Sequence, residues 1–240
     1  MKRISIIALV ALLGLFAAGS REAAAQSYSN LGNKTYDYSV FRIGIQGGWG
    51  YRVYSLSPDL PDYEVPNQNK LKSGIAFGAD ATWFFSKDMG LGLRYHTMFS
   101  SNTITLPSSD AISTIQRQKE DVELTYLAPQ LSTRYLFFDR HSVTVDISVG
   151  YLTYRDYKDY FLRESDYRVN GSTLGYAGNV GYDFAISPRF AVGASCNIVI
   201  GTLKKIKLGG HGKYDEVPLD KEDYISLNHL TLTAGLRFTL

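Results

Sequence analysis

Hydrophobic and polar side chains alternate with a period of two in eight stretches of the chain. The stretch SLNHLTLTAGLRFTL, at residues 226–240, has leucine, alanine and phenylalanine at one set of alternate positions and histidine, threonine, glycine and arginine at the other. Successive side chains of a β-strand point to opposite faces, so this pattern predicts strands with one apolar and one polar face. The predicted strands lie within residues 39–53, 73–85, 89–99, 123–137, 142–154, 173–186, 190–201 and 226–240.

The connections between these stretches alternate in length. Short turns are predicted at 86–88, 139–141 and 187–189, and long polar loops at about 55–71, 100–121, 155–172 and 204–224. This alternation indicates an up-and-down antiparallel meander. Strands of about 11 to 15 residues are longer than is usual in soluble proteins, and they can cross a bilayer at a tilt.

Two kinds of eight-stranded barrel are compatible with this meander. A soluble lipocalin-like barrel points its apolar face inward, whereas a membrane barrel points it outward to lipid. The polar faces are rich in glycine, which weakens a solvent-facing strand but fits a narrow lumen. The apolar faces carry rings too large for that lumen, such as Trp49, Phe77 and Trp83. The sequence therefore favours an all-β, eight-stranded antiparallel up-and-down transmembrane β-barrel over residues 38–240, closed by pairing of the last strand with the first.

The N-terminal residues predict export. A short basic head is followed by an apolar run at residues 4–19 and by three alanines at 23–25 that fit a cleavage site. We expect residues 1–25 to be a cleaved signal peptide and residues 26–37 to be a periplasmic lead into the barrel. The alternative is a single transmembrane anchor, for which the apolar run is short.

Composition and charge mainly exclude classes of partner. The chain carries a formal net charge of +2, and loss of Lys2, Arg3, Arg21 and Glu22 with the signal peptide leaves 22 basic and 22 acidic residues. A neutral chain does not indicate a nucleic-acid partner. Cys196 is the single cysteine, so no internal disulfide is expected.

Seven charged residues fall on lumen-facing positions. They are Arg42, Asp80, Arg94, Arg134, Asp146, Asp183 and Arg237. Buried charges require partners, and counting outward from the short turns places Asp80 opposite Arg94 and Arg134 opposite Asp146. The remaining three are expected near the turn end of the barrel. Such ion pairs could form a static electrostatic core or a gate that passes small ions.

Aromatic residues on the apolar faces lie close to the ends of the predicted strands. We expect a lipid-facing girdle formed by Phe41, Trp49, Trp83, Phe85, Tyr135, Phe137, Tyr182, Phe184 and Phe238.

The sequence predicts no catalytic residues, no cofactor and no metal site. A hydrolase would need a serine, a histidine and a carboxylate close together. His96 and His229 are predicted in the lumen on different strands, and His141 is predicted at a short turn. The fourth histidine, His211, lies in a long loop, and the acidic run at 220–223 is typical of a solvated loop.

The long loops are expected to hold any binding specificity. Lys204, Lys205 and Lys207 make the barrel rim locally basic, where the phosphates of lipopolysaccharide would lie. The tyrosine-rich, charged segment at 154–168 is suited to recognition of a protein. The expected partners are therefore outer-membrane lipid and lipopolysaccharide, with a possible envelope protein.

The pattern as a whole resembles the small bacterial outer-membrane barrels of the OmpX/OmpA type. More narrowly, the segments GIQGGWGYRVY, YLAPQLSTRYLF and GNVGYDFAISPRFAVG are similar to the PorT-like outer-membrane β-barrel family of Bacteroidetes. The resemblance covers about residues 38–240, and the chain departs from it by ending on Leu240 rather than on an aromatic residue. It implies an outer-membrane location and a non-enzymatic role in envelope structure or in a surface or export assembly. A lipid A-modifying enzyme and a narrow pore are the alternatives.

Overall fold

The computed structural model describes residues 41–55, 60–61, 63–106, 116–138, 140–160, 167–210 and 213–240. The predicted signal peptide and periplasmic lead lie outside the described residues. The barrel strands are β1 (Phe41–Arg52), β2 (Ser73–Phe84), β3 (Met89–Leu106), β4 (Gln116–Phe137), β5 (His141–Tyr160), β6 (Tyr167–Ala185), β7 (Phe190–Ile200) and β12 (His229–Thr239). Additional elements are the helix α1 (Val65–Leu71) and the strands β8 (Thr202–Leu203), β9 (Lys205–Gly210), β10 (Lys213–Pro218) and β11 (Ile225–Ser226).

The eight barrel strands pair with their neighbours in chain order, and the sheet closes through β1 and β12. All pairings are antiparallel, and the closing register joins Ile43 to Phe238 and Tyr51 to Leu230. Closure gives both sides of each of these strands a hydrogen-bonding partner. The part of the barrel that lies in the hydrocarbon layer therefore has no unpaired strand edge. The predicted fold class is confirmed.

Large apolar side chains point away from the barrel axis. Trp49, Phe77 and Trp83 are 44%, 51% and 51% exposed, whereas the alternate positions of the same strands are mostly buried. This orientation excludes the lipocalin-like alternative, in which these rings would crowd the interior. It gives the barrel an outward apolar belt whose loop-end limit is the cross-strand row Tyr95, Leu127, Tyr151 and Leu174.

Four strands are longer than the sequence pattern predicts. β3, β4, β5 and β6 contain 18, 22, 20 and 19 residues, and most of the predicted loops at 100–121 and 155–172 belong to them. The predicted loop at 204–224 contains the β9–β10 hairpin, which adds to β6. The loop prediction was wrong here because strands that have left the membrane are exposed to water and have a polar sequence. These segments form a loop-end sheet: the parts of β3–β6 beyond the apolar belt, together with β9 and β10.

Where the belt ends, the outward face of the sheet changes from apolar to polar and the inward face changes from polar to apolar. The next outward row consists of hydroxyl residues, Thr97, Thr125, Thr153 and Ser172, and the row after it contains Glu123 and Arg155. At the same level the inward residues become apolar, with Met98, Leu124 and Leu152 fully or almost fully buried. Lipid requires an apolar exterior, whereas water favours a polar exterior over an apolar core, so the exchange marks the passage from one solvent to the other.

The helix α1 lies in the connection between β1 and β2 and closes the loop end of the lumen. Pro66 stands near its N-terminus, where the missing N–H has no cost, and Leu71 at its C-terminal end is completely buried. Leu71 joins the apolar cluster formed by Met98, Leu124 and their neighbours. No described helix is long and apolar enough to span a membrane.

Candidate functional site

Charged residues fill the turn end of the lumen. One guanidinium nitrogen of Arg42 donates to Asp80 Oδ2 at 2.9 Å, and the other donates to Asp183 Oδ2 at 2.6 Å. Arg237 Nε lies 3.5 Å from Asp183 Oδ1, and its Nη2 donates to Gln46 Oε1 at 2.6 Å. Two arginines and two aspartates thus neutralise one another. Each of these side chains is buried, and a buried charge without a partner would be strongly unfavourable.

A second ion pair lies further toward the loop end. Arg94 Nη2 donates to Asp146 Oδ2 at 2.6 Å, and Asn179 Nδ2 donates to the same oxygen at 2.8 Å. Asp80 stands opposite Arg94 in the β2–β3 register, as expected, but its ion pair is with Arg42. Arg94 on β3 pairs instead with Asp146 on β5, so this ion pair joins two strands that are not neighbours.

The predicted pairing of Arg134 with Asp146 was wrong. The turn between β4 and β5 is tighter than assumed, so that Phe137 stands opposite His141 and Arg134 opposite Thr144. Arg134 lies over the ring of Phe84, 3.9 Å from its centroid, and donates through Nε to the carbonyl of Lys87 at 2.8 Å. It belongs to the turn end of the barrel wall.

Glycine on the inward face makes room for this ion cluster. A Cβ on Gly44 would lie 2.7 Å from Asp80 Oδ1 and 2.9 Å from Arg237 Cδ. Gly50 has the same role for Met98, whose Sδ would lie 2.7 Å from an added Cβ.

The lumen histidines form a stacked pair. The ring centroids of His96 and His229 lie 5.5 Å apart, and both side chains are buried. His229 Nδ1 is 2.8 Å from the carbonyl of Leu227. Among the described residues, no group of three or more histidine, cysteine, aspartate or glutamate side chains could hold a metal ion. His211 lies outside the described residues.

The aromatic residues predicted as a girdle lie at both ends of the belt. Tyr135, Phe137, Tyr182 and Phe184 cluster around His141 at the turn end, where His141 Nδ1 lies 2.6 Å from the hydroxyl of Tyr182. Further contacts at this end join Trp83 to Phe85 and Phe190 to Phe238, close to Phe41. Trp49 lies toward the loop end, stacked on Tyr51.

A buried polar cluster beneath α1 was missed by the sequence interpretation. Glu120 accepts hydrogen bonds from Asn67 Nδ2 at 2.8 Å and Gln68 Nε2 at 3.2 Å, and Lys158 Nζ lies 3.7 Å away. Burial, followed by the charge of Glu120, raises the pKa of Asp156 to about 6. The sequence did contain a signal for this cluster. The alternation of inward and outward side chains in β4 and β5 continues through the polar residues that were predicted to be loop.

The three rim lysines are exposed on the outer surface. Lys205 Nζ lies 3.2 Å from Glu216 Oε1 on the neighbouring strand β10, and Lys207 stands opposite the same glutamate. Lys204 precedes β9 and is also exposed.

The loop-end sheet has two outer strands, β10 and the last part of β3. Residues 100–106 of β3 pair with β4 on one side, and no described strand pairs with their other side. This segment reads SSNTITL and has no charge and no proline. β10 reads KYDEVP, and its charges and proline are features that protect a sheet edge from unwanted pairing. The last part of β3 is therefore the less protected edge.

The closed sheet, the outward apolar belt and the polar interior define a transmembrane β-barrel of the kind found in bacterial outer membranes. No family model matches the chain, and no curated protein matches its sequence. The fold is similar to that of the Neisserial surface protein A (NspA), with 14% identity, a TM-score of 0.51 and coverage of 84% of this chain and 98% of that one.

Two further barrels show the same likeness. OprG from Pseudomonas aeruginosa is 10% identical, with a TM-score of 0.50 and coverage of 86% of this chain and 99% of its own. A major outer membrane protein from Thermus thermophilus is 11% identical, with a TM-score of 0.51 and coverage of 83% and 99%. At these identities the likeness describes the fold.

Proposed function

We propose that the protein is an integral outer-membrane barrel that keeps its lumen closed and presents its loop-end sheet to a partner protein. It would act as the membrane component of a surface assembly, and the resemblance to the PorT-like family suggests an assembly concerned with export. The observation that carries this proposal is the less protected edge at residues 100–106 of β3, which extends beyond the apolar belt and has no described strand on its outer side. An edge of this kind can accept an extended segment of another chain as an additional strand.

The interior supports a binding role over a transport role. Ion pairs fill the turn end of the lumen, and the apolar cluster with Leu71 fills the loop end. His96 and His229 lie between these two layers and are shielded from solvent, which does not favour hydrolysis of a surface lipid. The outer surface is therefore the part of the molecule best placed to meet a partner.

The edge is tested by comparing one substitution on each outer strand. Thr103→Lys places a charge on the exposed face of the β3 edge, and Glu216→Lys is the matched change on β10. Protein purified from detergent-solubilised outer membrane should retain its partner in the wild type and in Glu216→Lys and lose it in Thr103→Lys. A partner that remains bound to Thr103→Lys, or that crosslinks to β10 instead, would contradict the proposal.

We also propose that the rim lysines contact lipopolysaccharide. Lys204, Lys205 and Lys207 point outward near the loop-end limit of the belt, where lipid phosphates would lie. Reversal of the three charges should reduce the amount of lipopolysaccharide that copurifies with the barrel. If the amount of copurifying lipopolysaccharide is unchanged, the three lysines do not bind it.

A further inference from the structure

The outer face of the loop-end sheet contains a groove that begins at the apolar belt. Its volume is about 850 Å³, and Ile75 and Phe99 form its apolar part. Ile75, Phe99, Glu123 and Arg155 follow one another in a single cross-strand row, so an apolar surface continues directly into a charged one. A membrane lipid that lies against the belt would place its headgroup at this level.

Charges of opposite sign occupy opposite sides of the groove. Asp121 and Glu123 belong to β4, whereas Arg155 belongs to β5 and Arg168 to β6. Tyr157 stands between Asp121 and Arg168 in the register, and Arg168 lies over its ring at 5.1 Å from the centroid. Asp121 is already paired with Lys119, whose Nζ lies 2.7 Å from its Oδ2. The groove therefore offers the Glu123 carboxylate to a cation at one side and guanidinium groups to an anion at the other.

The present contact across the groove is weak enough to be replaced. Arg155 Nη1 lies 3.5 Å from Glu123 Oε2, and the Arg155 side chain is 68% exposed. Exposed ion pairs of this length contribute little stability. A phosphate that accepts two hydrogen bonds from a guanidinium is a better partner, because the geometry is bidentate.

We infer that this groove binds a lipid headgroup that carries both a phosphate and a primary amine, as phosphoethanolamine does. The phosphate lies against Arg155 and Arg168, the ammonium donates to Glu123, and the acyl chains descend along Ile75 and Phe99. An anionic headgroup without an amine would take Arg155 from Glu123 and bring its phosphate close to a carboxylate that it cannot neutralise. The inference rests on the membrane insertion proposed above.

The test measures which lipid the folded barrel retains. The full chain is reconstituted in nanodiscs that contain phosphatidylethanolamine and phosphatidylglycerol in equal amounts with phosphatidylcholine as the background, and the bound lipids are counted by native mass spectrometry. We expect phosphatidylethanolamine to be retained about tenfold over phosphatidylglycerol, a ratio in the range of one charge-assisted contact. Vesicle flotation reports insertion separately, so a barrel that fails to insert is distinguished from one that inserts without this preference.

Two variants of the groove give different expected signatures. Glu123→Gln removes the acceptor for the amine and should shift the preference to phosphatidylglycerol, whereas Arg155→Gln with Arg168→Gln should reduce retention of both lipids. Lys70→Gln with Lys221→Gln, two exposed lysines outside the groove, should leave the preference unchanged. Preferential retention of phosphatidylglycerol by the wild type, or the wild-type preference in both groove variants, would overturn the inference.

Discussion

At the scale of single residues, the interior depends on arginines whose partners come from other strands. Arg42 reaches Asp80 on the adjacent β2 and Asp183 on β6, which lies across the lumen. An arginine in this position holds three strands in a fixed arrangement, because moving any one of them would leave a charge unpaired. Removal of one partner from such a pair costs more than the pair itself contributes.

Arg94→Ala should therefore destabilise the barrel strongly. It removes the cation that pairs with Asp146 and leaves the hydrogen bond from Asn179 in place, and breaking a buried ion pair costs about 3–5 kcal/mol. The temperature at which the folded band disappears in unboiled gel electrophoresis should fall by several degrees. Arg189→Ala, at an exposed turn position, is the control and should leave that temperature unchanged. Equal behaviour of the two variants would show that the Arg94 pair is not part of the stabilising interior.

The glycine positions allow a second comparison. Gly44→Ala should destabilise the barrel by about 1–3 kcal/mol, because the added methyl group overpacks the space beside Asp80 and Arg237. Gly178→Ala is the matched control, because no atom lies within 4 Å of a Cβ added there. Both are measured as the change in unfolding midpoint in urea. A larger effect of the Gly178 change would contradict the assignment of Gly44 to a close contact.

At the scale of elements, β3–β6 act in two environments. Their turn-side parts present leucine and aromatic side chains to lipid, and their loop-side parts present hydroxyl and charged side chains to water. Continuous hydrogen bonding through both parts makes the loop-end sheet a rigid extension of the barrel. A rigid edge can bind an extended segment with less loss of conformational entropy than a flexible loop would incur.

The loop-end sheet should lose stability as the pH rises through about 6. Burial and the neighbouring Glu120 raise the pKa of Asp156 from 3.8 to about 6, so the folded state holds a proton that the unfolded segment releases. The stabilisation is complete below pH 3.8, declines through the window up to about 6, and amounts to roughly 3 kcal/mol. Hydrogen exchange of the β4 and β5 amides, corrected for intrinsic rates, measures it between pH 4.5 and 7.5. Asp156→Asn should abolish the pH dependence, and a wild type without this dependence would exclude Asp156 as its source.

At the scale of the whole molecule, the lumen is closed at two levels with different chemistry. The ion pairs fill its turn end, and the apolar cluster capped by Leu71 fills its loop end. We expect the apolar layer by itself to block ions, since hydrated ions cannot cross a packed apolar layer without losing their water.

Planar bilayer recordings should accordingly show no large, stable conductance for the wild type. Arg94→Ala should also remain closed although its heat resistance falls, because it leaves the apolar layer intact. Closure and stability are thus separable measurements on the same variant. A steady open level of the wild type or of Arg94→Ala would favour the narrow-pore alternative.

Much of the architecture follows from local pattern. The alternation in residues 226–240 identifies β12 and its apolar face, and the glycines of the opposite face indicate a narrow lumen. The same reasoning failed at the loop end, where polar residues 100–106 and 155–160 form strand. It failed because a strand with one face in water and little apolar content does not differ from a loop in composition.

The site depends on features that no local pattern contains. A slip of two positions at the β4–β5 turn separates Arg134 from Asp146, although parity keeps both on the inward face. The helix α1 occurs in a segment predicted to be loop, and its position is decided by Leu71 and by the hydrogen bonds to Glu120.

The sequence by itself determined the membrane-crossing parts of the strands, the face that each turns to lipid and the closed barrel, because a period of two and the chemistry of each face act over a few neighbouring residues. Only the tertiary structure decided which carboxylate neutralises which arginine, how far the wall extends beyond the membrane and which edge it leaves open. These depend on the register and curvature of strands that are far apart in the chain, and a small slip at one turn changes every cross-lumen contact.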